Sequence, residues 1–196
     1  MMKEEKFNHL KTLFEDEDED EEKIIKATEG IEALLDLIGE DKDREGLQDT
    51  PYRFLKAFAE YTQGYKIDPK TYLETQFEAE SHDVVVVRDI PFESACEHHL
   101  ARFHGVAHVA YIPSEKITGL SKFPRMINGY ARRLQVQERL TAQVADAIYD
   151  VLNPEACAVV IEASHSCMTA RGAMAHGSST KTFAVRGDKN LLDYLK

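Results

Sequence analysis

The sequence predicts an α+β fold. Two stretches near the N-terminus repeat their apolar residues at helical spacing, and four later segments are β-branched or alternating, as in strands. Two more helical stretches fall between the second and third of these strands. The order is therefore two helices, two strands, two helices and two strands, in which strands and helices segregate instead of alternating as βα units.

At 196 residues the chain can bury one sizeable core or a core with an arm. No apolar run approaches the roughly 18 residues of a membrane span, and the charged N-terminus lacks the apolar core of a secretory signal. Only three cysteines occur, Cys96, Cys157 and Cys167. That count argues against a disulfide framework and suits a reducing, cytoplasmic setting in which thiolates are free to bind metal. The formal net charge of -11 disfavours a nucleic-acid partner. The unbroken acidic run 15–22 supplies eight of those charges, so a polyanionic small molecule remains open if basic residues gather locally.

Residues 1–22 read as an acidic, flexible arm, because blocks of like charge repel themselves. Residues 23–78 read as a helical region and 79–196 as the main domain. From Lys23, the apolar positions Ile24, Ala27, Ile31, Leu34, Leu35 and Ile38 predict a helix that ends at Gly39. Thr50 and Pro51 open the second helix as N-cap and first residue, with Phe54, Leu55, Phe58 and Tyr61 expected on its buried face. Residues 65–82 read as irregular. Val84-Val85-Val86-Val87 begins a strand that Pro91 is expected to end. The next strand covers 103–112, where His104 and His108 read as structural.

Gly119-Leu120-Ser121-Lys122 turns the chain into a helix with Ser121 as candidate N-cap. Lys122, Arg125, Arg132 and Arg133 make this region basic, and a helix N-terminus offers free N–H groups to an anion. Arg132 and Arg133 read as a solvated face. A longer helix over 136–152 buries Val136, Leu140, Val144, Ile148 and Val151 and breaks at Asn153-Pro154. Glu138 near its start complements the helix dipole. Strands over 157–163 and 179–186 complete the pattern, with Cys157 a small core residue, and a short helix could close the chain.

The chemistry gathers at Cys96-Glu97-His98-His99 and at His165-Ser166-Cys167. Cys96 and His99 are close enough for one turn to aim both at a single ion. Thiolate and imidazole are common zinc donors, and three protein ligands leave a fourth position for water. Cys167 completes a Cys2His set only if the fold returns it. His98 and His165 stand beside the proposed ligands as candidate bases. On spacing alone the pattern is also compatible with coincidence, since paired Cys-x-x-Cys motifs are the stronger signature.

Several segments in order, Ser94-Ala95-Cys96-Glu97-His98-His99, Ala110-Tyr111-Ile112-Pro113, Gly119-Leu120-Ser121-Lys122, Gln135-Val136-Gln137-Glu138-Arg139-Leu140-Thr141 and His165-Ser166-Cys167-Met168-Thr169-Ala170-Arg171-Gly172, together resemble the GTP cyclohydrolase I family. The similarity spans about 46–187. It implies a zinc enzyme that turns GTP and water into 7,8-dihydroneopterin triphosphate and formate, the first step of pterin or tetrahydrofolate-type synthesis. It also implies the tunnelling fold, a four-stranded antiparallel sheet with two helices on one face, assembled as a homodecamer with active sites between subunits.

By the same resemblance Cys96, His99 and Cys167 are the metal ligands. His98 and His165 are proton carriers, with Ser121 assisting later steps. Arg53 (in Thr50-Pro51-Tyr52-Arg53), Lys122, Arg125 and Arg171 meet the triphosphate. Glu138 accepts from the guanine N1–H and 2-amino group, and Gln137 helps to fix the base. Two rivals stand beside this reading. A nitrile reductase of the 7-deazaguanine pathway would share the fold and work without zinc, and a silent GTP-binding subunit would bind GTP without releasing formate.

Overall fold

The computed structural model describes residues 2–14 and 20–195. The chain divides into two compact units, Met1–Tyr61 and Thr62–Lys196.

The first unit holds helices α1 (Glu4–Phe14), α2 (Asp20–Leu37) and α3 (Thr50–Thr62). Helix α1 occupies part of the stretch expected as a flexible arm; most of the acidic run, 15–19, lies outside the described residues. Phe7, Leu10 and Phe14 recur at helical spacing, and Leu10 is buried against Ile24 and Leu55. Burying a leucine of this kind contributes roughly 1.5–3 kcal/mol, enough to order a short helix that charge alone would leave loose. Lys6 pairs with Asp49, and His9 Nδ1 lies 2.7 Å from the Tyr52 hydroxyl. The buried face of α3 is only partly the expected one, with Leu55 inward as expected but Phe54 and Tyr61 exposed. Pro51, Leu55 and Ala59, four apart, turn inward, whereas Phe54 is 50% exposed and stacks on Phe58 at 6.2 Å. Helix α2 runs into Gly39, whose φ of +78° ends it, but Leu34 and Ile38 at its C-terminal end are exposed.

The second unit begins with two short 3-10 turns, then β1 (Gln76–Glu78), β2 (Val85–Cys96), β3 (Arg102–Ile112) and β4 (Lys116–Thr118). Helix α4 (Lys122–Ala131), β5 (Leu134–Gln135), α5 (Gln137–Leu152), β6 (Ala156–His165), α6 (Ser166–Thr169) and β7 (Thr180–Arg186) follow, and a 3-10 turn closes the chain. Strands β2, β3, β6 and β7 form a continuous antiparallel sheet in that order, and the two-residue β5 adds to β2 in parallel. Residues 62–78 fold with this unit because Pro69–Leu73 packs on α4 and β1 pairs with β4.

Alternation sets the two faces of the sheet. Phe103, Ala107, Val109 and Tyr111 of β3, with Cys157, Val159 and Ile161 of β6, join Phe123, Met126, Leu140, Val144 and Ile148 of α4 and α5 in the main core. Ala110, Ala158 and Val160 point the other way, against Leu191 and Leu195. Two helices on one face of four antiparallel strands are the tunnelling fold.

Strand β2 does not stop at Pro91, which pairs with Val106. The proline is tolerated because, among the described residues, β2 has a strand on its other side only at Ala95 and Cys96, so no ladder needs its missing N–H. A β-bulge interrupts the register between Val87 and Ile90, and Asp89 there has φ 55°. The Asp89 N–H, lost to the ladder, donates to Nδ1 of buried His108 at 3.1 Å, which accounts for that histidine structurally.

Candidate metal centre and its surroundings

Register carries the distant halves of the site together. Ala95 faces Arg102 across β2 and β3, and Phe103 faces His165 across β3 and β6. The C-terminal ends of β2 and β6 therefore flank the start of β3, one on each side, at the same end of the sheet. Cys96 is the last residue of β2; its N–H donates to Ala101 O, and Leu100 N–H returns to Cys96 O, each at 2.8 Å. Leu100 takes φ 53° to close this turn. Cys167 sits in the short helix α6 directly after β6.

The ligand atoms of Cys96, His99 and Cys167 all lie within 4.8 Å of one another. Distance to Cys96 alone does not choose between the histidines, since Nδ1 of His98 and of His99 are each 3.9 Å from its sulfur. Only His99 also closes on Cys167, so among the described residues the triad is Cys96, His99 and Cys167. Donors on a tetrahedral zinc, at about 2.3 Å for sulfur and about 2.0 Å for nitrogen, stand roughly 3.5–3.8 Å apart. The observed spread needs only a small contraction, and two soft thiolates with one imidazole suit a borderline ion. The three residues could hold a metal ion. Cys96 is buried while His99 is exposed, so the position is reachable from solvent.

Burial pushes the Cys167 thiol up, and the adjacent Cys96 sulfur adds to this, while Arg171 opposes it. That resistance to ionisation at Cys167 is what a divalent cation beside the two sulfurs would relieve. Cys157 stands apart: its sulfur faces Ala145 O at 3.5 Å in the core, and burial holds it up at about 12. It is inert, as a small core residue should be.

Around the triad, His98 is largely exposed, and its ring meets that of His99 edge-on at 6.3 Å. His165 is half-buried and stacks on Phe103 with centroids 4.5 Å apart and planes 7° apart. Burial lowers its pKa, partly offset by the charge of Glu138. Glu138 is exposed in the first turn of α5, and Lys122 and Arg125 lie in the first turn of α4. Ser121 occupies the N-cap position there without a capping hydrogen bond from its side chain. Arg171 is exposed just after α6. Arg53 belongs to the first unit, where its guanidinium lies 3.7 Å from Asp49.

Two residues make contacts that their sequence reading did not include. Gln137, expected at the base, is 2% exposed, with its amide held by His165, Ile161 and Thr180. Arg133, read as solvated, donates to Gly64 O and Ile67 O at 2.9 Å and lies over the Tyr65 and Tyr130 rings. One contributor went unnoticed in the sequence. Arg139 brings Nη1 and Nη2 each 2.7 Å from Glu97 Oε2, bracing the turn between Cys96 and His98. The only signal for it was an acid and a base flanking two site motifs.

Fold and site define a tunnelling-fold protein with a candidate Cys2His metal centre at the strand ends. The model of the GTP cyclohydrolase I family matches residues 27–191, and the chain belongs to that family. It is similar to GTP cyclohydrolase 1 of Carboxydothermus hydrogenoformans, 53% identical over 169 residues that cover 86% of each chain. That of Geobacillus kaustophilus is 53% identical over 158 residues, 80% of this chain and 84% of the relative. That of Chlorobaculum tepidum is 51% identical over 175 residues, 89% of this chain and 78% of the relative.

Proposed function

We propose that the chain converts GTP and water to 7,8-dihydroneopterin triphosphate and formate at zinc held by Cys96, His99 and Cys167. The observation that carries this reading is the closure of these three donors within 4.8 Å. When bound, zinc supplies Lewis acidity that makes water nucleophilic near neutral pH.

The remaining roles fall to side chains. His165 gives a proton to guanine N7, which makes C8 electrophilic. His98, exposed beside the triad, exchanges protons with the opening imidazole ring while C8 leaves as formate. Ser121 assists the later rearrangement of the ribose through its hydroxyl. The Glu138 carboxylate offers two acceptor oxygens to N1–H and the 2-amino group, a pair that adenine lacks. Arg53, Lys122, Arg125 and Arg171 hold the triphosphate, and that remote binding energy keeps the base in place.

The unit from Thr62 onward carries the metal chemistry, and subunits join sheet to sheet into a homodecamer with active sites between chains. The outer edge of β7 supports such joining, since it has no strand partner among the described residues and exposes Phe183. Among the described residues no helix is long and apolar enough to cross a membrane, and a cytoplasmic location is part of this proposal. Incubation of the purified protein with GTP, following formate and oxidised neopterin fluorescence while counting bound metal, tests the reading. Both products should appear, vanish on chelation and be absent in Cys167→Ser. Tight GTP binding by fully metallated protein without formate would overturn it.

A further inference from the structure

We infer that Gln137 is a positioning residue that holds His165 in the Nε2–H tautomer, leaving Nδ1 as the one nitrogen with which the ring can exchange a proton with substrate. This inference rests on the proposed role of His165 and concerns how that role is fixed.

The hydrogen bonds around Gln137 run in a single direction. Its Nε2 lies 3.0 Å from Ile161 O, 2.9 Å from Thr180 O and 3.1 Å from Thr182 Oγ1. Carbonyl oxygens only accept, so this end of the amide must be the NH2. Thr141 Oγ1 lies 2.7 Å from Gln137 O, again an acceptor, and so spends its proton there. The hydroxyl of Thr182, 2.7 Å from Thr141 Oγ1, must then donate to Thr141. That leaves a lone pair of Thr182 facing the Gln137 amide. No member of the network can be reversed without setting two donors or two acceptors against each other.

The consequence reaches His165. With the NH2 committed, Gln137 Oε1 faces His165 Nε2 at 2.7 Å, and an amide oxygen can only accept. His165 Nε2 must therefore carry hydrogen. A neutral imidazole has one N–H, so its lone pair is at Nδ1, and the ring gives a proton to guanine N7 only after taking one up at that nitrogen. The fully buried ring of Phe103 covers one face of the imidazole and keeps it from turning. Gln137 could contact the purine directly only by breaking its 2.7 Å bond to His165, inside a site where it is 2% exposed.

The test uses full-length, zinc-loaded protein labelled with 15N-histidine and examined by solid-state NMR of the sedimented assembly. The His165 resonances are assigned by their loss in His165→Gln. In the unsubstituted protein the neutral His165 ring should show a protonated Nε2 and a bare Nδ1. Gln137→Met should mix the tautomers and lower kcat on the order of 10²-fold, with zinc content and KM for GTP nearly unchanged. Thr182→Val, which spares both carbonyl acceptors, should show a smaller shift in the same direction. A protonated Nδ1 with a bare Nε2 in the unsubstituted protein would overturn the inference, even if Gln137→Met fails to fold. So would a Gln137→Met variant that raises KM while keeping kcat, as a base contact would. Full turnover by His165→Gln would instead sink the proton-carrier role itself, an outcome separate from the tautomer signal.

Discussion

Arg139 reaches back from the first turn of α5 to Glu97, with both terminal guanidinium nitrogens 2.7 Å from one carboxylate oxygen. Glu97 stands between Cys96 and His98, so the ion pair ties the candidate metal turn to the helix that also carries Gln137 and Glu138. Both side chains are partly exposed, and such a pair contributes no more than about 1 kcal/mol to stability. Its effect should lie in geometry. Arg139→Met should shift the melting temperature by only a few degrees and lower kcat about tenfold, since small misplacements of reacting groups are costly. Thermal melts beside steady-state kinetics check this. A large loss of stability with normal kcat would contradict it.

His98 and His99 are equally distant from the Cys96 sulfur, yet only His99 joins Cys167. His98→Gln should therefore retain metal and GTP binding while turnover falls by roughly 10²–10⁴-fold. His99→Gln should lose metal as well. Metal analysis by mass spectrometry, paired with formate release, separates the two roles.

His108 offers a prediction outside the site. Burial holds its pKa below the ordinary value of 6.5, with Arg88 and Lys181 opposing the pull of Asp89 and Glu162. Its Nδ1 must also stay bare to accept from the Asp89 N–H at the bulge. The folded state thus binds fewer protons than the unfolded chain below the unfolded pKa. The resulting stability is complete above about pH 6.5 and is lost as pH falls through the lower folded value. His108→Gln, which cannot titrate, should show a smaller drop in melting temperature between pH 7.5 and 5.5 than the unsubstituted protein at matched metal content. Equal drops would assign the acid sensitivity elsewhere.

Much of the site was legible because its motifs are local. Cys96 and His99 share one turn, Ser121 and Lys122 open one helix, and Glu138 begins another. Less legible were residues whose partners lie far along the chain. Gln137 looks like a polar helix start, and nothing in its neighbours announces that Ile161 and Thr180 will hold its amide. Pro91 reads as a strand end, because its tolerance depends on what lies beside β2. The inward face of α3 was misread in part for a similar reason: Leu55 was placed correctly and Phe54 is more apolar than Ala59, but which side faces Leu10 and Ile24 is settled by packing.

Periodicity and turn chemistry are properties of neighbouring residues, so the chain alone specified its α+β order, its main helices and strands, and the two halves of the metal motif. Joining those halves required the registers of β2 with β3 and β3 with β6, which set the Cys96 turn beside Cys167. The same pairing put Phe103 against His165, and packing of α5 on β6 and β7 brought Gln137 to its ring. Long-range pairing and the direction of hydrogen bonds depend on atoms that meet only after folding, and the tertiary structure alone supplies them.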